Sequence, residues 1–141
     1  MIDLDHFKSV NDRFGHPVGD RVLATLAALL RRRLASVDTI GRYGGEEFVV
    51  LFEGLPEPEV LHLMGRVLEE FRGIDLEAPG KPAFRATFSA GVAMLEEGMT
   101  LDAWKKAADD ALYAAKAAGR NRITSHAAAP AASGPAPRRP A

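Results

Sequence analysis

A chain of 141 residues holds one folded core, not two. Its 47% hydrophobic and 26% charged residues are ordinary globular proportions, which excludes a wholly disordered chain. The formal net charge of -1 gives no general attraction to nucleic acid or to an anionic membrane, and the absence of cysteine excludes disulfides and thiolate metal sites.

Residues 1–5 have the pattern of a strand end, with Ile2 and Leu4 alternating against Asp3 and Asp5, so both carboxylates fall on one side. Carboxylates also stand here where a secretory signal needs cations and an apolar run, and a cytoplasmic location is expected. Phe7–Phe14 predicts a helical turn leading into Gly15-His16-Pro17. From Val18 to Leu34 the apolar residues Val22, Leu26, Leu29, Leu30 and Leu34 recur at helical spacing, and Arg31, Arg32 and Arg33 suit the negative end of that helix. Two β-like runs follow, Asp38–Tyr43 and Glu46–Phe52. The Gly44-Gly45 break between them predicts a tight hairpin in which both glycines take positive φ.

Pro56–Phe71 predicts a second amphipathic helix, burying Val60, Leu63, Met64, Val67, Leu68 and Phe71. Gly73 and Pro79-Gly80 mark a loop, and Phe84–Met94 predicts one longer strand. Thr100 is placed to cap a third helix that carries Leu101, Trp104, Ala108, Ala111, Leu112 and Ala115 and ends at Gly119. Arg122–Thr124 completes the pattern as a short strand. Residues 126–141, with seven alanines and four prolines, are expected to be a disordered tail. No membrane segment is expected, since no uncharged apolar stretch approaches the roughly 20 residues of a spanning helix. Interleaved strands and helices around a hairpin predict an α+β fold with a mixed or antiparallel sheet.

Three groups of residues could carry chemistry. If the first strand pairs beside the hairpin, Asp3 converges with Glu46, and Glu47 follows it. Two unneutralised carboxylates held close call for a cation or a shared proton. Oxygen ligands without nearby His or Cys favour Mg²⁺, which takes one or two carboxylates and completes its shell with water and phosphate. The plainer alternative leaves Glu46 and Glu47 as solvated hairpin charges and Asp5 as a cap for the turn at His6. Gly44-Gly45 is either a simple turn or a place where a nucleotide lies against bare backbone. Lys116, Arg120 and Arg122 suit phosphates, or they simply complement a helix C-terminus. His6 and His16 have no metal-ligand pattern and are expected to be structural, hydrogen-bonded in the loop.

Taken together, these residues resemble the GGDEF family of diguanylate cyclases. Its signature reads here Arg42-Tyr43-Gly44-Gly45-Glu46-Glu47-Phe48. Asp3-Leu4-Asp5-His6-Phe7-Lys8-Ser9-Val10-Asn11-Asp12 is similar to the family's first-strand block, and Gly15–Asp20 to its next loop. Thr87–Ala93 resembles the late strand, while Ala108–Lys116 and Gly119–Arg122 resemble the final helix and its exit. These blocks, in order, cover nearly all of residues 1–125, which form the expected domain.

The resemblance implies a ferredoxin-like palm, as in nucleotidyl cyclases, with a central, mostly antiparallel sheet flanked by helices. It implies that two GTP molecules condense to cyclic di-GMP with release of two pyrophosphates, across a homodimer whose halves each hold one GTP. Asp3, Glu46 and the Leu4 backbone carbonyl correspond to the ligands of Mg²⁺, with Mn²⁺ as an alternative. Asp3, Glu46 and Glu47 become the catalytic residues, Glu47 in metal or base assistance. Asn11 and Asp20 correspond to the guanine-reading pair, Lys116 and Arg120 to the clamp on the terminal phosphates. Lys8 lies near phosphates, and Gly45 leaves room for the nucleotide.

Two departures stand out. The family's domain begins earlier, with an Asp-x-Leu-Thr-Gly-Leu block and a long helix. The chain is therefore expected to be truncated, without its upstream sensory module and with an apolar patch exposed around Ile2. The family's inhibitory Arg-x-x-Asp motif corresponds to Ala35–Asp38, where Ala35 replaces the arginine, so the product-inhibition site is expected to be absent. Arg72–Asp75 has the spacing but lies on the wrong element. A silent GTP-binding module and an incomplete fragment are the competing readings of the same residues.

Overall fold

The computed structural model describes residues 1–34 and 38–127, with the side chain of Asp38 left out. The expected tail beyond Ala127 and the Ala35 position lie outside the described residues. The elements run β1 (Ile2–Leu4), α1 (Phe7–Phe14), α2 (His16–Arg33), β2 (Asp38–Arg42), β3 (Glu47–Phe52), α3 (Glu57–Arg72), β4 (Leu76–Ala78), β5 (Lys81–Phe84), β6 (Phe88–Val92), α4 (Leu101–Ala117) and β7 (Ile123–Ser125). Five strands form the main sheet in the order β2-β3-β1-β6-β7. All neighbours are antiparallel except β6 and β7. This is the expected mixed α+β architecture. No helix among the described residues is long and apolar enough to cross a membrane.

The period-2 alternation of the strands divides the sheet into two unlike faces. Ile2 pairs with Phe48 and Ala90, and Leu4 with Phe88, so these apolar side chains share one face. They join Val22, Leu26, Leu29 and Leu30 of α2 and Val60, Met64, Val67 and Phe71 of α3 in one core. Phe71 and Phe88 meet there with ring centroids 5.8 Å apart. The opposite face carries Asp3, Ser89 and Gly91, and α4 lies on it. That approach depends on Gly91: an added Cβ would sit 2.2 Å from the Ala108 carbonyl oxygen and 2.2 Å from the Leu112 nitrogen.

Several expectations change. Ile2 is buried, because its parity turns it towards α2 and α3. An apolar groove of about 620 Å³ nonetheless lies open beside it, lined by Met1, Ile2, Val49, Leu51, Met94 and Trp104 among others. Leu101, expected in the buried stripe of α4, is 67% exposed. Phe84–Met94 is not one strand: Phe84 ends β5 and β6 begins at Phe88. The expected loop contains a β4–β5 hairpin turning at Pro79-Gly80, tied to α1 by Phe84 stacking on Phe14 at 4.2 Å. Neither Gly44 nor Gly45 has positive φ. The hairpin turn is instead clasped by Arg42, whose guanidinium donates to the carbonyls of Gly44 at 3.2 Å and Gly45 at 2.7 Å. His6 and His16 are both exposed, outside any buried loop network. The Thr100 cap is as expected, its hydroxyl accepting from the Ala103 N–H at 3.1 Å.

Gly91→Ala should lower the free energy of unfolding by about 3 kcal/mol, because backbone on both sides must move to admit the methyl group. Gly65→Ala in α3, where an added Cβ meets nothing within 4 Å, should raise it by about 0.5–1 kcal/mol. Urea unfolding midpoints of the two variants, moving in opposite directions, check both.

Candidate functional site

β1 sits in the middle of the sheet, so its polar face receives side chains from both neighbours and from α4. In the β1–β3 pair Asp3 stands opposite Glu47, and the Leu4 N–H donates to the Glu46 carbonyl at 3.2 Å. That bond fixes the backbone of Glu46 beside the end of β1, and its half-buried carboxyl group lies close enough to Asp3 to be repelled by it. From the opposite side Lys116, in the last turn of α4, donates from Nζ to Asp3 Oδ2 at 2.7 Å. Convergence of Asp3, Glu46 and Lys116 thus spans three elements.

Asp3 is 4% exposed. A buried carboxylate is tolerable only when paired, and Lys116 supplies the pairing cation. Glu46 is less well served. Burial pushes its carboxyl group above the ordinary glutamate range, Asp3 and Glu47 push it further, and only Lys116 opposes them. The Glu47 carboxylate lies beside the turn, where a Cβ on Gly44 would come within 3.1 Å of it. Gly45 is exposed and faces open space.

Whether this donor set fits a divalent cation is a question of chemistry and number. The donors are carboxylate oxygens with no His or Cys among them, suited to a hard ion. The unrelieved repulsion at Glu46 is what a cation would remove. Among the described residues no group of three or more His, Asp or Glu side chains is placed to hold a metal ion by itself. Asp3, Glu46 and the Leu4 carbonyl therefore suit an ion that fills the rest of its shell with water and phosphate, as Mg²⁺ does.

The other candidates occupy two further places. Lys8 and Asp20 are exposed on α1 and in the second turn of α2, with Asn11 half-buried between the helices. Gly19 makes room for Asn11: a Cβ there would fall 1.9 Å from Asn11 Oδ1. That oxygen is buried and has no hydrogen-bond partner among the described residues. Arg120 is exposed just beyond α4, in the left-handed region at φ 64. Arg122 donates from Nε to the Arg120 carbonyl at 2.9 Å.

Asp5 differs from its expected role. It makes no side-chain cap on α1. Its buried carboxylate turns instead across the sheet, accepting from Thr87 Oγ1 at 2.7 Å, Ser89 Oγ at 2.7 Å and the Asn121 N–H at 3.0 Å. The sequence signals available for this were the shared parity of Asp3 and Asp5 and the matching alternation of Thr87 and Ser89.

The family model described as "Diguanylate cyclase, GGDEF domain" matches residues 1–122. The chain is 45% identical over 123 residues to the probable diguanylate cyclase DgcC of Escherichia coli K12, covering 86% of the chain and 33% of DgcC. It thus spans about a third of that relative's length. Among solved structures it is similar to the active GGEEF domain of a diguanylate cyclase from Vibrio cholerae. There the TM-score is 0.82 at 33% identity, covering 91% of this chain and 81% of that one. The GGDEF domain of DgcB from Caulobacter crescentus, solved in complex with c-di-GMP, gives a TM-score of 0.85 at 34% identity. That match covers 89% of this chain and 74% of the other.

Because the Glu46 carboxyl group is raised in the folded chain, its contribution favours folding below the ordinary glutamate range and is lost as pH rises through the raised value. Glu46→Gln should therefore stabilise the metal-free protein at pH 7, and the gain should vanish as the pH falls below the ordinary glutamate range. Thermal melts across that pH window, in the presence of a chelator, check the sign.

Proposed function

Since this chain belongs to the GGDEF family of diguanylate cyclase domains, we propose that it binds GTP at the Asp3–Glu46 site and condenses two GTP molecules into cyclic di-GMP. Two copies of the domain meet face to face, each holding one nucleotide. The 3′-hydroxyl oxygen of each GTP forms a bond to the α-phosphorus of the other. The bond to pyrophosphate breaks, the hydroxyl proton is lost, and two pyrophosphates leave. The observation that carries the reading is the approach of the half-buried Glu46 to the buried Asp3, where their repulsion is only partly relieved by Lys116.

Asp3, Glu46 and the Leu4 carbonyl would hold Mg²⁺, or Mn²⁺ in its place. When bound, the cation polarises the α-phosphate, neutralises the leaving pyrophosphate and lowers the pKa of the attacking hydroxyl. Glu47, beside the turn, assists as a further ligand or as a base. Lys116 and Arg120 hold the terminal phosphates through charge-assisted hydrogen bonds, with Lys8 nearby. Gly45 presents bare backbone over which the nucleotide lies. Asp20 accepts from the guanine N1–H and N2–H donors, which adenine lacks at those positions, and Asn11 supplies an amide at the purine edge.

Glu46→Gln keeps the shape of the side chain and removes its charge. Pyrophosphate release from GTP should fall about 10³-fold or more, since charge stabilisation by a held cation is worth several kcal/mol. Undiminished release would overturn the assignment. Gly19→Ala tests the base-reading half separately. The methyl group collides with the flexible end of Asn11 rather than with backbone, so folding should be nearly unchanged. GTP affinity measured by calorimetry should drop roughly tenfold while the weak binding of ATP stays as it was.

A further inference from the structure

We infer that Asp5 is a positioning residue for the turn that follows α4, and that through this turn it sets where Arg120 meets a nucleotide's terminal phosphates. The inference rests on reading Arg120 as a phosphate-binding residue.

Gly119, Arg120 and Asn121 have φ values of 118, 64 and 51. Three consecutive left-handed residues, two of them with side chains, persist only when surrounding contacts hold them. Asn tolerates this region; Arg has no such preference. The Arg120 N–H donates to the Ala115 carbonyl at 3.0 Å, and Arg122 Nε donates to the Arg120 carbonyl at 2.9 Å. The last left-handed residue is held differently: the Asn121 N–H donates to Asp5 Oδ2 at 3.0 Å.

Asp5 is built to be a fixed acceptor. It is 5% exposed. Two hydroxyls, Thr87 just ahead of β6 and Ser89 on it, donate to its two oxygens at 2.7 Å each. They orient the carboxylate and leave it an acceptor for one more donor, which arrives from the turn 116 residues away. Asp5 stands two residues after Asp3, just past the end of the same strand. One side chain thereby ties the strand of the candidate metal ligand to the turn of the candidate phosphate ligand. A triphosphate reaching from one to the other meets a spacing that this bond fixes.

The full chain is compared with Asp5→Ala, Asp5→Asn, Arg120→Ala and the double variant Asp5→Ala/Arg120→Ala. Calorimetry uses two probes, GMP and the α,β-methylene analogue of GTP, and amide hydrogen exchange follows residues 119–122. Asp5→Ala should weaken binding of the triphosphate analogue about tenfold, the scale of one charge-assisted hydrogen bond, and change GMP binding less than about twofold. The Asn121 amide should lose protection while the β1–β6 amides keep theirs. Asn retains one acceptor oxygen, and its amide can donate to Ser89 Oγ. Asp5→Asn should therefore fall between the parent and Asp5→Ala in both readouts, and it carries the test by itself if Asp5→Ala does not fold. The double variant should be no weaker than Arg120→Ala. Equal loss of both probes, or unchanged Asn121 exchange in a folded Asp5 variant, overturns the positioning role while a selective Arg120→Ala effect keeps the site reading. An Arg120→Ala variant that loses no triphosphate selectivity overturns the site reading, and this inference with it.

Discussion

The ion pair between Lys116 and the buried carboxylate of Asp3 is the contact on which the polar half of this molecule depends. A carboxylate withdrawn from water costs several kcal/mol unless a cation reaches it. Lys116 reaches it because the backbone of α4 lies directly on the sheet, and α4 lies there because Gly91 has no side chain to hold it off. The sheet order adds the other partner. With β1 between β3 and β6, the turn after β2 is brought to the end of β1, and Glu46 comes with it. Removing any step in that sequence leaves Asp3 buried without its partners.

This arrangement concentrates the chemistry on one face of the sheet and the stability on the other. The face towards α2 and α3 is an apolar core including Ile2, Leu4, Phe48 and Phe88. The face towards α4 holds Asp3, Ser89 and, at the strand end, Asp5. A strand of only three residues serves both, because successive side chains point to opposite sides. The core can therefore tolerate a site in which Glu46 is held at a disadvantage. Such a site is stabilised only when something positive arrives, which is the usual relation between a functional site and the fold that carries it.

The helices were legible because each buries a stripe at the helical period, and the Thr100 cap because its chemistry is local. The break between β5 and β6 was not. Phe84, Ala86 and Phe88 keep their alternation across it, so periodicity sees one strand where hydrogen bonding makes two. The glycine turn misled for a related reason: two glycines permit positive φ, but the Arg42 guanidinium holds the loop in another way. The open apolar surface expected around Ile2 is a groove that Met1 and Ile2 help to line, but Ile2 itself is buried; the sequence does not reveal which strand face is covered. The convergence of Asp3 with Glu46 could be anticipated only by assuming the strand order. Asp5 could not be understood at all without it, since its donors lie on β6, just ahead of it and in a turn near the other end of the chain.

Two close approaches, at Gly19 and Gly91, show how fold and chemistry are kept separable. At Gly91 the missing side chain admits backbone, the carbonyl of Ala108 and the amide of Leu112, which cannot rotate away. The glycine is therefore a condition of folding, and the position of Lys116 follows from it. At Gly19 the missing side chain admits the end of Asn11, which turns about its own bonds. The α1–α2 pair would survive a methyl group there; only the direction of an amide would be lost. Burial of an unpartnered Asn11 Oδ1 carries a cost with no return in the folded chain alone. That cost, the raised Glu46 carboxyl group and the left-handed turn at Arg120 are three local disadvantages in one small protein. The fold itself holds the turn, through Asp5 and the Ala115 carbonyl, whereas Asn11 Oδ1 has no partner among the described residues and Lys116 relieves Glu46 only in part, so at these two positions the compensation is left incomplete.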